Sequence, residues 1–102
     1  MIFINTVEEM EEYYKPDMNA YVFKGDVTFM CDVSVKSHIF ARNITARNIN
    51  AMDINARNIS AKNITYDEVC FTYKDITCES IKGRRNNARH FVLNGKLKVE
   101  KK

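Results

Sequence analysis

The chain has 102 residues, is 45% hydrophobic and carries a formal charge of +3, with three Gly, one Pro and three Cys. That supplies one small core and too little Gly or Pro for a linker-rich or disordered chain, so a single domain over residues 1–102 is expected. Three cysteines without close spacing suit buried thiols in a reducing compartment, and no apolar run is long enough for a bilayer or a leader, so we expect a cytoplasmic protein without membrane contact.

Residues 1–19 read as a cap. Thr6-Val7-Glu8-Glu9 has the form of a capping box, with the Thr hydroxyl serving a free amide and Glu9 reaching back. It opens a short helix with Val7, Met10 and Tyr14 on one face, ending before Pro16.

Residues 20–83 form the body. From Ala41 to Thr65 one pentapeptide recurs five times: Ala41-Arg42-Asn43-Ile44-Thr45, then units that begin at Ala46, Ala51, Ala56 and Ala61. A period of five fits neither a helix at 3.6 residues per turn nor a long alternating strand, so the chain must turn a corner once per repeat while returning Ile and Ala to the inside. That pattern is a β-solenoid. With steps of six or seven the inward pairs extend to Tyr21 and Phe23, Val27 and Phe29, Val33 and Val35, Ile39 and Ala41, and onward to Val69 and Phe71, Ile76 and Cys78, Ile81 and Gly83. Ala keeps the middle narrow, and Phe and Val widen the ends.

Residues 84–102 read as a basic turn and a second cap. Phe91 to Val99 alternates around Asn94-Gly95, the signal of a tight β-hairpin.

The units centred on Asn43-Ile44, Asn48-Ile49, Asp53-Ile54, Asn58-Ile59 and Asn63-Ile64 resemble those of the pentapeptide-repeat proteins. The resemblance covers residues 21–83 and implies an all-β fold: a single-stranded right-handed β-solenoid, four-sided in cross-section, with Ile44 stacked over Ile64. The steps Gly25-Asp26-Val27 and Cys31-Asp32-Val33 look like those of bactofilins, which polymerise end to end. The segment from Cys78 to Lys96 looks like that of short bacterial and prophage-encoded repeat proteins.

Charge gives the functional direction. Residues 1–19 sum to −4, so the remainder sums to +7. Arg42, Arg47, Arg57 and Lys62 share one position of successive repeats, and Lys82, Arg84, Arg85 and Arg89 cluster after the coil. As a functional surface these side chains would meet phosphates or an acidic protein; as plain structure they are the solvated corner any repeat needs. Such a basic coil does not suit the DNA mimicry used by acidic members of the resembled family.

Other residues favour structure over chemistry. Asn43, Asn48, Asn58 and Asn63 are read as corner residues bonding the backbone. Cys70, Cys78 and His90 fit no zinc spacing, and His38 lacks the longer, trimeric setting of β-helical acyltransferases. Tyr13, Tyr14, Tyr66 and Tyr73 suit cap packing better than base stacking. The expectation is therefore a non-enzymatic solenoid, without catalytic residue, metal or cofactor, that presents a surface to an acidic protein and antagonises a host system on behalf of a phage or mobile element. The alternatives are a structural protein that dimerises or polymerises by its ends, and a nucleic-acid binder using the Arg/Lys corners.

Overall fold

Each Ala-x-Asn-Ile-x unit supplies one short strand, with Ile on the inside, and one corner, and stacking these units is what lets them bury that face. The computed structural model describes residues 2–100, which wind into a β-solenoid of about five turns. Met1, Lys101 and Lys102, the outermost positions of the expected 1–102 domain, lie outside the described residues.

The chain starts on the first side of the coil with β1 (Ile2–Ile4). A 3₁₀ helix, Val7–Tyr13, follows, and then β2 (Tyr14–Lys15), which turns back antiparallel onto β3 (Ala20–Val22). The turn between these strands uses Asn19 at φ 50°, the left-handed region that Asn tolerates better than most residues. The next coil shows the three sides in order: β4 (Val27–Phe29), β5 (Val33–Ser34) and β6 (His38–Phe40). In the following coil β7 (Asn43–Thr45) takes the first side, and β8 (Asn48–Ala56) runs through the second and third. The same division recurs in β9 (Asn58–Ser60) and β10 (Asn63–Thr72). β11 (Ile76–Cys78), β12 (Ser80–Gly83) and β13 (Arg89–Val92) complete another coil, and β14 (Leu97–Val99) opens the next.

The first side is a parallel sheet in the order β1-β4-β7-β9-β11-β14. Its register pairs Ile44 with Ile59; on the other sides Ile49 pairs with Ile64 and Ile39 with Ile54. Every one of these pairs is fifteen residues apart, so a coil holds three pentapeptides and has three sides, not the four implied by the resemblance. The second inward residue explains the choice. With only Ala beside each Ile, a triangular section brings the three isoleucines of a coil together across the axis, whereas a square would leave unfilled space at its centre. Ile44, Ile49, Ile54, Ile59 and Ile64 are all buried, as the repeat predicts. Phe23 and Phe29, edge to face at 5.6 Å, fill the wider first coils.

Three local expectations change. Val69 and Phe71 do not face inward; Cys70 and Thr72 do, both fully buried, because the register slips by one residue between Tyr66 and Val69, where Asp67 and Glu68 stand against Met52 alone. Asn94-Gly95 makes no hairpin: β13 pairs parallel with β10 and β14 parallel with β11, so the segment is another coil corner. No glycine has positive φ. Gly95 is required for room, since a Cβ there would fall 2.3 Å from the Lys74 carbonyl oxygen. The capping box is only half made. Glu9 accepts a hydrogen bond from the Asn5 amide at 3.1 Å, while Thr6 makes no side-chain cap. Because the helix is 3₁₀, Met10 and Tyr13 face the core at its three-residue period, with Tyr13 stacked 4.7 Å from Phe23, while Val7 stays exposed and Tyr14 packs on Tyr21.

Candidate functional site

Three-sided winding sorts the repeat's polar residues into columns that run along the corners. At the corner before the first side, Asn43 donates to Asp26 at 2.8 Å, Asn58 donates to Asn43 at 2.8 Å, and the Asp75 amide donates to the Asn58 carbonyl oxygen at 3.0 Å. At the next corner Asn48 donates to Asp32 at 3.0 Å, Asn63 donates to Asn48 at 2.7 Å, and the Ser80 hydroxyl donates to Asn63 at 2.6 Å. These asparagines were expected to bond the backbone. Instead they bond mainly side chains at the same position of the neighbouring coils, Asn58 alone of the four also accepting a backbone amide in these columns, because strand pairing brings that position into line on successive coils.

The basic residues sit one position earlier, and three-sided winding divides them into two columns. Arg57 donates its amide to the Arg42 carbonyl at 2.6 Å, and Lys74 donates to the Arg57 carbonyl at 2.8 Å, so Arg42, Arg57 and Lys74 form one column. Lys62 donates to the Arg47 carbonyl at 2.8 Å and forms the second column with it, continued by Glu79. Between the columns the first side carries the outward row Thr28, Thr45, Ser60 and Thr77. Lys74 escapes the sequence reading because two six-residue steps lengthen its coil, so that it follows Arg57 by seventeen residues and not fifteen; strand register alone reveals it.

The post-coil cluster is not one patch of free charge. Arg84 pairs with Asp67, and Arg85 pairs with Glu68 at 3.1 Å, both acids from the inserted corner of β10. Among the described residues Arg42, Arg47, Arg57, Lys62, Lys74, Lys82 and Arg89 form no ion pair.

The remaining reactive groups are engaged in packing. His38 Nδ1 lies 3.1 Å from Asp53, whose other oxygen accepts the Val69 amide. The buried Tyr66 hydroxyl is 2.7 Å from His90 Nδ1. Burial pushes the Cys70 thiol up to about 12, the neighbouring Cys78 adding to the shift, and burial raises Cys78 as well. Such thiols stay protonated and are poor nucleophiles. Among the described residues no three His, Cys, Asp or Glu side chains come together in a metal-ligating group. A groove of about 310 Å³, lined in part by Lys36, Asn50, Met52 and Arg84, crosses the corner between the second and third sides, and the buried Asn50 Oδ1 beside it has no hydrogen-bond partner. Among the described residues no helix is long and apolar enough to cross a membrane. No family model matches the chain, and neither a curated protein nor a solved structure is similar to it.

Proposed function

We propose that this protein is a non-enzymatic binding module whose first side docks on the acidic surface of another protein. The observation that carries this reading is the pair of unpaired cationic columns, Arg42, Arg57 and Lys74 on one edge and Arg47 and Lys62 on the other. Their backbones are held by coil-to-coil hydrogen bonds, so binding orders only side chains and loses less entropy than docking a loop. Arg favours bidentate pairing with carboxylates. The row between the columns consists of Thr and Ser, and Phe3, in register with Thr28, adds a single exposed ring at its end; one ring is a poor platform for successive bases, which favours a protein over single-stranded nucleic acid. Arg84 and Arg85 are weaker anchors because Asp67 and Glu68 already hold them. Lys82 and Arg89 add steering charge from the coil end. Antagonism of a host system, the role expected of a phage or mobile-element protein, needs only such a blocking surface. The five-residue step supports kinship with pentapeptide-repeat proteins, and the three-sided coil sets this chain apart from their four-sided form.

The test is a pull-down from nuclease-treated lysate with the wild type, Arg42→Glu/Arg57→Glu and Arg84→Glu/Arg85→Glu. A partner retained by the wild type and the second variant but lost by the first supports the reading; the opposite pattern moves the interface to the post-coil cluster. Fluorescence polarisation with single- and double-stranded oligonucleotides covers the alternative. Tight binding that collapses at high salt would make nucleic acid the partner.

A further inference from the structure

We propose that copies of this chain stack head to tail, β14 of one copy pairing parallel with β1 of the next. Three independent features of the coil ends support this.

The first is charge. Glu8, Glu9, Glu11, Glu12 and Asp17, offset by Lys15, give residues 2–19 a net −4. Residues 20–79 hold seven acids and seven bases and sum to zero. Lys82, Arg84, Arg85, Arg89, Lys96 and Lys98, offset by Glu100, give residues 80–100 a net +5. The molecule is therefore a charge dipole along its coil axis. Two like ends repel, and opposite ends attract at a range set by the ionic strength.

The second is where apolar surface is exposed. The exposed large hydrophobic side chains among the described residues are Phe3, Val7 and Met18 in the first coil, Met30 in the second, and Tyr73, Phe91, Leu93, Leu97 and Val99 from the end of the fourth coil onward, with none between Met30 and Tyr73. Leu97 and Val99 are 40% and 43% exposed although they pair with Ile76 and Cys78, which are buried. They occupy core positions of a stack that no further coil covers within the described residues.

The third is the sheet itself. In the order β1-β4-β7-β9-β11-β14 both edge strands are three residues long, run in the same direction, and among the described residues have no partner on their outer edges. An open edge is a template for another strand. Adding β1 of a second copy to β14 continues the existing parallel ladder and sets the acidic 3₁₀ helix against Lys96 and Lys98. Principal extents of 32 × 26 × 24 Å make an end face of roughly 500 Å², so a stacked pair buries about 1,000 Å², the lower limit for a specific contact. Such a contact is heterologous and does not close on itself, so it builds open-ended chains of modest affinity.

The experiment is sedimentation velocity on the full chain between about 1 and 500 µM at low and high salt, with Lys96→Glu/Lys98→Glu and Glu11→Lys/Glu12→Lys alone and mixed. All four positions are exposed, and circular dichroism checks that each variant keeps its fold. The wild type should form a concentration-dependent ladder beyond the dimer that shrinks at high salt. Each variant alone should stay largely monomeric, because the first lowers residues 80–100 from +5 to +1 and the second brings residues 2–19 from −4 to zero, and an equimolar mixture, which can pair an unaltered acidic end with an unaltered basic end, should associate again. A wild type that remains monomeric throughout, or that stops at a salt-insensitive dimer, overturns the proposal. So does a mixture that fails to associate although both variants are folded.

Discussion

Ile44 lies directly beside Ile59 on adjacent strands of the first side, with Asn43 paired to Asn58 and Thr45 to Ser60 in the same register. That fifteen-residue relationship puts Ile at the same inward position on successive middle coils and makes the middle of the core a stack of isoleucines, which Val27, Val33 and Cys70 continue outside the perfect repeats. Removing one layer leaves a gap that neighbours above and below cannot fill without breaking the ladder. Ile54→Ala should therefore cost ~2 to 5 kcal/mol. Arg47→Ala, at an exposed corner, should cost no more than ~0.5 kcal/mol. Urea unfolding of both variants checks the contrast, and equal losses would mean that inside and outside had been misassigned.

The asparagine columns make a second prediction. Asn58 donates to Asn43 and accepts from the Asp75 amide, so Asn58→Ala takes a partner from the partly buried Asn43 carbonyl oxygen and another from the exposed Asp75 amide. The expected loss is ~1 to 3 kcal/mol. Asn58→Asp keeps the acceptor for the Asp75 amide but loses the donor to Asn43 and adds a carboxylate near Asp75. It should be destabilised at neutral pH and partly recover toward pH 4, as the new carboxyl gains a proton. Thermal melts across that range read the recovery, and a flat profile would show that the Asn43–Asn58 bond contributes little.

The isoleucine layers were legible in the sequence because a five-residue period with one Ile per unit leaves little freedom over which residues face in. The number of sides was not. Five residues per corner closes a triangle or a square equally well, and the decision rests on how Ile and Ala fill the section, a property of three strands at once. The inversion at Val69 and Phe71 has the same origin: one extra residue at the corner, where Asp67 and Glu68 stand against Met52 alone, shifts the inward parity, and alternation alone cannot locate the slip. Asn94-Gly95 misled because local turn chemistry was outweighed by parallel edges on β10 and β11 waiting for partners. At the candidate surface, Arg42, Arg47, Arg57 and Lys62 were visible as repeat positions. Their division into two columns, the addition of Lys74, and the pairing of Arg84 and Arg85 with Asp67 and Glu68 all depend on register.

Gly95 tests the coil reading of the last segment. With ordinary φ and the Lys74 carbonyl at 2.3 Å from a built Cβ, Gly95→Ala must push the corner outward. The consequence is confined to β14, which is held by β11 alone. Amide exchange should accelerate at residues 97–99 while protection at Ile59 and Ile64 stays unchanged. A hairpin with a type I′ turn would behave differently, since its Gly would be needed for positive φ and its loss would also expose β13.

Cys70 gives the pH dependence its sign. Burial, reinforced by Cys78, raises its thiol from an ordinary value near 9 to about 12. In the unfolded chain the thiol is exposed and ionises near its ordinary value, so between these limits the folded state holds a proton that the unfolded state has released. Folding stability is then full below about pH 9 and falls as pH rises, by at most about 1.4 kcal/mol per unit from this group, until the folded thiol itself ionises. Tyrosines and lysines titrate in the same window, so the wild-type curve alone does not isolate Cys70. Cys70→Val removes the thiol while keeping a buried apolar side chain of similar size, and it should lose less stability than the wild type between pH 9 and 11, whatever its stability at pH 7. Urea midpoints at several pH values measure the difference in slope. Parallel slopes would show that the Cys70 thiol is more accessible than the buried position between Ile54 and His90 implies, and a thiol-reactive dye that labelled the native protein at Cys70 would say the same independently.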